Sequence, residues 1–174
     1  MQLQERLART EDWPRIEELL HGVVRWLQSK GSKQWSDVLG GNDAHNTEAR
    51  IEQDQVYIVE NETNDLVGVF ILWDEQSPWD IDLWGREDTD EYAYLHRVAI
   101  SRDYSGQSLG APVVELAKKA AKENGKKAIR LDCRANLAPL NNLYQGTGFE
   151  LVKVRKDYDS GDAVQDFNLY EYKF

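Results

Sequence analysis

The sequence predicts a fold of the α/β (α+β) class, and two kinds of periodicity carry that prediction. Ile16, Leu19, Leu20, Val23 and Leu27 recur at helical spacing, as do Leu109, Val113, Leu116, Ala117 and Ala120. Between these helices lie short apolar runs, among them residues 55–60 and 66–73, separated by the turn Glu62, Thr63, Asn64 and Asp65. Such a hairpin belongs in an antiparallel sheet. A chain of 174 residues can bury one real core, so residues 1–174 are expected to be a single domain.

The elements follow in order. Residues 2–9 predict a first strand with Leu3 and Leu7 on one face. Asp12 is placed to N-cap the first helix, where Pro14 is tolerated in the first turn. That helix ends near Gly31. Residues 44–54 predict a short polar helix. Residues 74–91 show no periodicity and predict a long functional or mobile loop. They carry eight carboxylates against Arg86, with Trp79 and Trp84 interleaved. A strand to Ile100 and a helix to about Asn124 follow, with Gly125 as the C-cap. A strand over 128–133 and a helix over 138–146 come next. Strands over 149–156 and 166–173 close the chain, joined by a turn at 157–161.

The net charge of −10 argues against nonspecific binding to nucleic acid or to an anionic membrane, which need basic patches. It favours solubility and permits a cationic substrate. No run of ~18 apolar residues predicts a membrane span, and no charged-then-apolar leader predicts secretion. The one cysteine, Cys133, excludes an internal disulfide, fits a reducing cytoplasm and reads as a packed small hydrophobe. The three histidines and Cys133 have no metal-ligand spacing, so no metal is expected.

The chemistry concentrates at Tyr104-Ser105-Gly106-Gln107-Ser108-Leu109-Gly110-Ala111. A small, Gly/Ser-rich turn between a strand and a helix leaves backbone N–H groups unpaired. With the helix N-terminus it makes a site for phosphate or pyrophosphate.

Beyond that loop comes Arg134-Ala-Asn-Leu-Ala-Pro-Leu-Asn-Asn-Leu-Tyr-Gln-Gly-Thr-Gly-Phe149. Together, residues 94–152 resemble the core of the GNAT superfamily of acyl-CoA-dependent N-acetyltransferases. The family's loop pattern, Arg/Gln-x-x-Gly-x-Gly/Ala, falls on Ser105, Ser108 and Gly110, and only the last position matches. Leu143-Tyr144 and Gly148-Phe149 match a later pattern, with one residue fewer between them. The family's Asn seven residues before this Tyr falls on Leu137, beside Asn136.

The resemblance implies a mixed, mostly antiparallel sheet of about seven strands with helices on both faces. It implies acetyl-CoA as cosubstrate. Val98, Ala99 and Ile100 would offer backbone groups to the pantetheine arm, and 105–111 would hold the pyrophosphate. Asn136 and Asn141 would either touch the CoA arm or cap the helix. Tyr144 would donate to the leaving thiolate with a phenol near its ordinary pKa of 10.

His96, expected to share a strand face with Tyr94, Val98 and Ile100, matches a His that serves as base in some family members. Its competing reading is a packed His. Arg97 would point to the opposite face as a surface or structural residue. Gln34 and Trp35, with Trp73, Trp79 and Trp84, would line an acceptor pocket. The implied acceptor is a small-molecule or peptide amine, and exposed Tyr170, Tyr172 and Phe174 would permit a homodimer. The alternative is a catalytically inert acyl-CoA-binding or regulatory module with the same fold.

Overall fold

The computed structural model describes residues 1–35, 38–39, 43, 45–161 and 163–174. In chain order come strand β1 (Gln4–Leu7), helix α1 (Trp13–Ser29), helix α2 (Thr47–Ile51), and strands β2 (Val56–Glu60) and β3 (Leu66–Trp73). Helix α3 (Pro78–Trp84), strand β4 (Tyr92–Ile100), helix α4 (Gly110–Glu123) and strand β5 (Ala128–Arg134) follow. Helix α5 (Ala138–Gly146) and strands β6 (Glu150–Asp159) and β7 (Val164–Lys173) complete the order. Ala44, where the second helix is expected to begin, lies outside the described residues.

The seven strands form one mixed sheet in the order β1-β2-β3-β4-β5-β7-β6. The β4–β5 pair is parallel, and the β1–β2, β2–β3, β5–β7 and β6–β7 pairs are antiparallel. The described residues fall into two compact units. One comprises Met1–Ile71 with Arg97–Val113, and the other Leu72–His96 with Val114–Phe174. Strands β3 and β4 and helix α4 contribute residues to both.

In the first unit, α1 buries Ile16, Leu19, Leu20, Val23 and Val24, while Leu27 is half-buried. Strand β3 is buried along nearly its whole length, which is why its sequence is continuously apolar rather than alternating. Tyr57 stacks on Phe70 across the β2–β3 pair, with centroids 5.0 Å apart. At the sheet's edge, Leu7 of β1 is 38% exposed, so the expected apolar face of that strand is only partly covered.

Asp12 stands at the start of α1, but its side chain makes no cap. Its carboxylate accepts from the Arg9 N–H, from Arg6 at 2.8 Å and from Arg15 at 2.9 Å. Arg6 and Arg15 also reach Glu60 of β2, so one network joins β1, α1 and β2. Hydrogen bonding from Arg6 holds Asp12 below the usual carboxylate range. Burial alone would raise Glu60, but Arg6 and Arg15 bring it down.

In the second unit, the expected loop 74–91 contains α3. Pro78 opens the helix, and Ser77 with Asp80 forms a capping box. Asp80 Oδ2 accepts from the Ser77 N–H and hydroxyl at 3.1 and 2.8 Å. The aromatic face of β7, expected to be exposed, is largely covered, with the Tyr170 ring 6.1 Å from that of Tyr144 on α5. Tyr170 is fully buried, and half-buried Tyr172 lies beneath Lys118 Nζ at 3.8 Å, leaving Phe174 as the exposed ring. Gly148 has φ +90°, and a Cβ there would meet the Tyr172 ring at 3.0 Å. Both constraints explain why glycine precedes Phe149. Strands β6 and β7 run further than expected, and their turn closes with Ser160 N–H donating to Ala163 O.

Candidate active site

In the first unit, the loop after β4 begins with a 3-10 turn over Arg102–Tyr104. The Tyr104 hydroxyl fastens it by donating to Asp65 and accepting from Asn61. Ser105, Gly106, Gln107, Ser108 and Ala111 are exposed, and Leu109 and Gly110 are half-buried. Gly106 and Ser108 both take left-handed conformations, φ +77° and +56°. Among the described residues, no acceptor takes the N–H groups of residues 106–111. A turn of this kind leading into a helix leaves donors for an anion. The left-handed conformation costs Ser108 about 1 kcal/mol that glycine would not spend.

Upstream, Val98 and Ile100 are half-buried and Ala99 is buried. Arg97 has φ +51°, so the alternation of β4 breaks there in the manner of a bulge. His96 therefore cannot be placed on the face of Val98 and Ile100 by counting in twos. Arg97 is not a surface residue: its side chain has no exposure and binds Asp43 and His45 Nδ1. Burial would raise Asp43, but the Arg97 charge lowers it. The Trp35 ring, at φ +60°, lies 5.0 Å from the Arg97 guanidinium. Gln34, half-buried, donates its N–H to Ser32 Oγ at 3.1 Å.

In the second unit, β4 pairs with β5 over Tyr92↔Ala128 to Tyr94↔Arg130, and both strands continue beyond. His96 and Asp132 lie two residues past the last of these pairs. His96 is buried, its Nε2 3.1 and 3.2 Å from the two oxygens of Asp80, and its ring lies 4.1 Å from that of buried Trp73. A carboxylate can only accept here, so a neutral His96 carries its proton on Nε2 and its lone pair on Nδ1. Asp132 accepts from Trp79 Nε1 at 3.1 Å, and burial pushes its carboxyl up to about 6. Trp79 in turn packs edge-on against Tyr158 and Phe167.

Asp80, His96 and Asp132 offer ligand atoms within 4.8 Å of one another. The spacing between Asp80 and His96 is nonetheless that of a hydrogen bond, and Asp80 is further engaged by Ser77. The cluster therefore reads as a proton-handling group.

Tyr144 of α5 is 7% exposed, with its ring edge-on to Phe149 at 5.9 Å. Burial, with Cys133 and Asp132 adding to it, pushes the phenol well above 10, so it is not the ordinary phenol expected from the sequence. Among the described residues, nothing hydrogen-bonds to its hydroxyl. Asn141 is buried and fully engaged. Its Nδ2 donates to Arg134 O and Leu137 O, and its Oδ1 accepts from Tyr170 and Asn168. That geometry ties α5 to β5 and β7, whereas Asn136 is exposed. Burial raises the Cys133 thiol to about 12, as suits a packed residue.

Of the predicted residues, His96, Trp73 and Trp79 come together. Trp84 does not join them but packs against Tyr94 and Arg130. Gln34, Trp35, Val98–Ile100 and 105–111 belong to the first unit. Sequence reasoning missed Asp80 and Asp132. Ser77-Pro78-x-Asp80 is a legible capping signal that would have placed Asp80 on a helix. Asp132 is a lone charge between Leu131 and Cys133 and carries no comparable signal.

The profile of the acetyltransferase (GNAT) family matches residues 18–149. The chain is 38% identical over 161 residues to the uncharacterized N-acetyltransferase YesJ of Bacillus subtilis (strain 168), covering 92% of this chain and 84% of YesJ. It is similar to a GNAT-family acetyltransferase structure from Listeria monocytogenes 4b F2365, with 37% identity and TM-score 0.78 over 99% of this chain and 95% of that one. The PaiA N-acetyltransferase of Thermoplasma acidophilum, solved with coenzyme A, shares the fold at 16% identity and TM-score 0.69, with each chain fully covered. The chain belongs to the GNAT acetyltransferase family.

Proposed function

We propose that residues 1–174 act as one cytoplasmic domain that moves an acetyl group from acetyl-CoA to a primary amine of a small molecule or peptide. Family membership supports the acyl-CoA cosubstrate, and the coenzyme A bound to the Thermoplasma protein is consistent with it. Among the described residues, no helix is long and apolar enough to cross a membrane.

The amine attacks the thioester carbonyl directly in a ternary complex. The N–H groups of 106–111 take the pyrophosphate. Backbone groups of Val98–Ile100 hold the pantetheine arm and polarise the carbonyl. His96 Nδ1 accepts a proton from the incoming ammonium, while Asp80 fixes the ring. The C–N bond forms and the C–S bond breaks, and the second nitrogen proton passes to the departing thiolate. Tyr144 is the donor at that sulfur. The observation that carries this reading is Tyr144 itself, a residue 7% exposed on α5 whose hydroxyl has no described hydrogen-bond partner. A phenol raised by burial stays protonated and stabilises the thiolate chiefly by hydrogen bonding.

Calorimetry with acetyl-CoA, followed by thiol release across a panel of primary amines, tests the proposal. Micromolar binding with amine-dependent thiol release is expected. Binding with no release from any amine would make the chain an inert acyl-CoA module, and no binding would remove the cosubstrate.

A further inference from the structure

We propose that Asp132 is the carboxylate that docks the ammonium group of the acceptor, next to the imidazole that deprotonates it. The inference rests on the acetyltransferase reading above and deepens it by assigning the acceptor's charge and its counter-ion.

The first argument is charge balance. Asp80 and Asp132 bring two carboxylates to one place, and His96 is the base that faces them both. Among the described residues, no lysine or arginine pairs with either carboxylate. His96 can supply at most one positive charge, so the cluster keeps at least one negative charge in a site partly shielded from water. Asp80 spends its oxygens on Ser77 and His96. Asp132 has a single described partner, Trp79 Nε1. The uncompensated charge therefore sits on Asp132, and a monocation would restore the balance.

The second argument is position. Asp132 and His96 lie on neighbouring strands just beyond the residues where β4 and β5 pair. The charged and titratable groups around Asp132 are His96 of β4, Asp80 of α3, Tyr158 of β6, Tyr144 of α5 and, next to it on β5, Cys133. Burial is the main cause that raises both tyrosines, and the negative charge of Asp132 adds to it, so Asp132 is felt at the phenol assigned to the leaving thiolate. The third argument is the wall. Trp79 holds Asp132 and packs with Tyr158 and Phe167, while Trp73 covers His96. A carboxylate held by one indole, beside an imidazole covered by another, suits an ammonium, which gains both a salt bridge and cation–π attraction.

The test uses the whole chain and two ammonium probes, phenethylamine and n-butylamine, with 2-phenylethanol and n-butanol as uncharged shapes. Asp132→Asn keeps the size of the side chain and an oxygen for Trp79. In calorimetry, at least one ammonium probe should bind the wild type, and Asp132→Asn should weaken it about tenfold or more. The alcohols should not distinguish the two proteins. The Asp132 carboxyl, followed by carbon NMR, should titrate at lower pH when the ammonium probe is present. In turnover with acetyl-CoA, the variant should raise KM for the ammonium acceptors at least tenfold. KM for p-toluidine, uncharged at pH 7.5, should change less than about threefold.

Equal affinity of the two proteins for the ammonium probes, or no binding to the wild type, overturns the proposal. Zinc binding that Asp132→Asn abolishes, without ammonium binding, also overturns it and makes the cluster a metal site. If no amine is acetylated, the enzyme reading fails, yet calorimetry and the NMR titration still decide whether Asp132 docks ammonium.

Discussion

Two residues carry the account at the scale of single side chains. Tyr144→Phe removes one hydroxyl and leaves the ring packed on Phe149. Acetyl-CoA affinity should stay nearly constant while kcat falls by roughly 10²-fold, the usual size of such a contribution. Wild-type turnover would reduce Tyr144 to packing. Asp132 makes a separate prediction about stability. Its folded pKa of about 6 exceeds the usual carboxylate value, so folding favours the protonated form. The stability penalty is absent below about pH 4, grows as pH rises through 6 and is complete at pH 7. Asp132→Asn should therefore stabilise the protein by about 1–3 kcal/mol at pH 7, with the gain vanishing near pH 4. Urea denaturation at the two pH values measures it, and a loss of stability at pH 7 would contradict the assignment of an uncompensated charge.

Among the elements, α3 and the Arg6–Asp12–Arg15–Glu60 network make the sharpest predictions. Ser77→Ala should cost about 1 kcal/mol through the lost cap. Because Ser77 also holds Asp80, and Asp80 holds His96, the same change should shift the pH dependence of kcat/KM. A stability loss with an unmoved pH profile would separate the cap from the chemistry. Asp12 and Glu60 are held below their ordinary pKa values, so their stabilisation is present above about pH 4 and is lost as pH falls further. Asp12→Asn should lower stability by about 2 kcal/mol at pH 7 and flatten the acid limb of the stability curve.

The elements also show what the chain made legible. Helices α1, α4 and α5 and strands β2 and β3 stand where periodicity and turn residues put them, because burial of one face dictates the pattern. Helix α3 escaped because seven residues, half of one turn polar, give too short a period, and only its cap betrays it. The left-handed Arg97 escaped because nothing in Leu-His-Arg-Val marks a break in the alternation, so counting in twos does not place His96 on the face of Val98 and Ile100. Asp132 meets His96 through the pairing of distant strands, a relation that local sequence does not encode.

For the whole molecule, the net charge of −10 now divides into committed and free carboxylates. In 74–91, Asp80 binds Ser77 and His96, Glu87 binds Arg130, Glu91 binds Lys127 and Asp82 accepts from Tyr158. Asp74, Glu75, Asp88 and Asp90 are exposed and remain able to steer a cation. Changing these four to Asn or Gln should lower kcat/KM for an ammonium acceptor and flatten its salt dependence. Equal kinetics at low salt would leave the segment with solubility alone. Catalysis of amine acetylation is tested by mass spectrometry of the amine after incubation with acetyl-CoA. An amine heavier by one acetyl group should form in step with free thiol and more slowly with Tyr144→Phe. Bound acetyl-CoA that stays intact across the amine panel, or acetylation indifferent to Tyr144→Phe, would contradict this expectation.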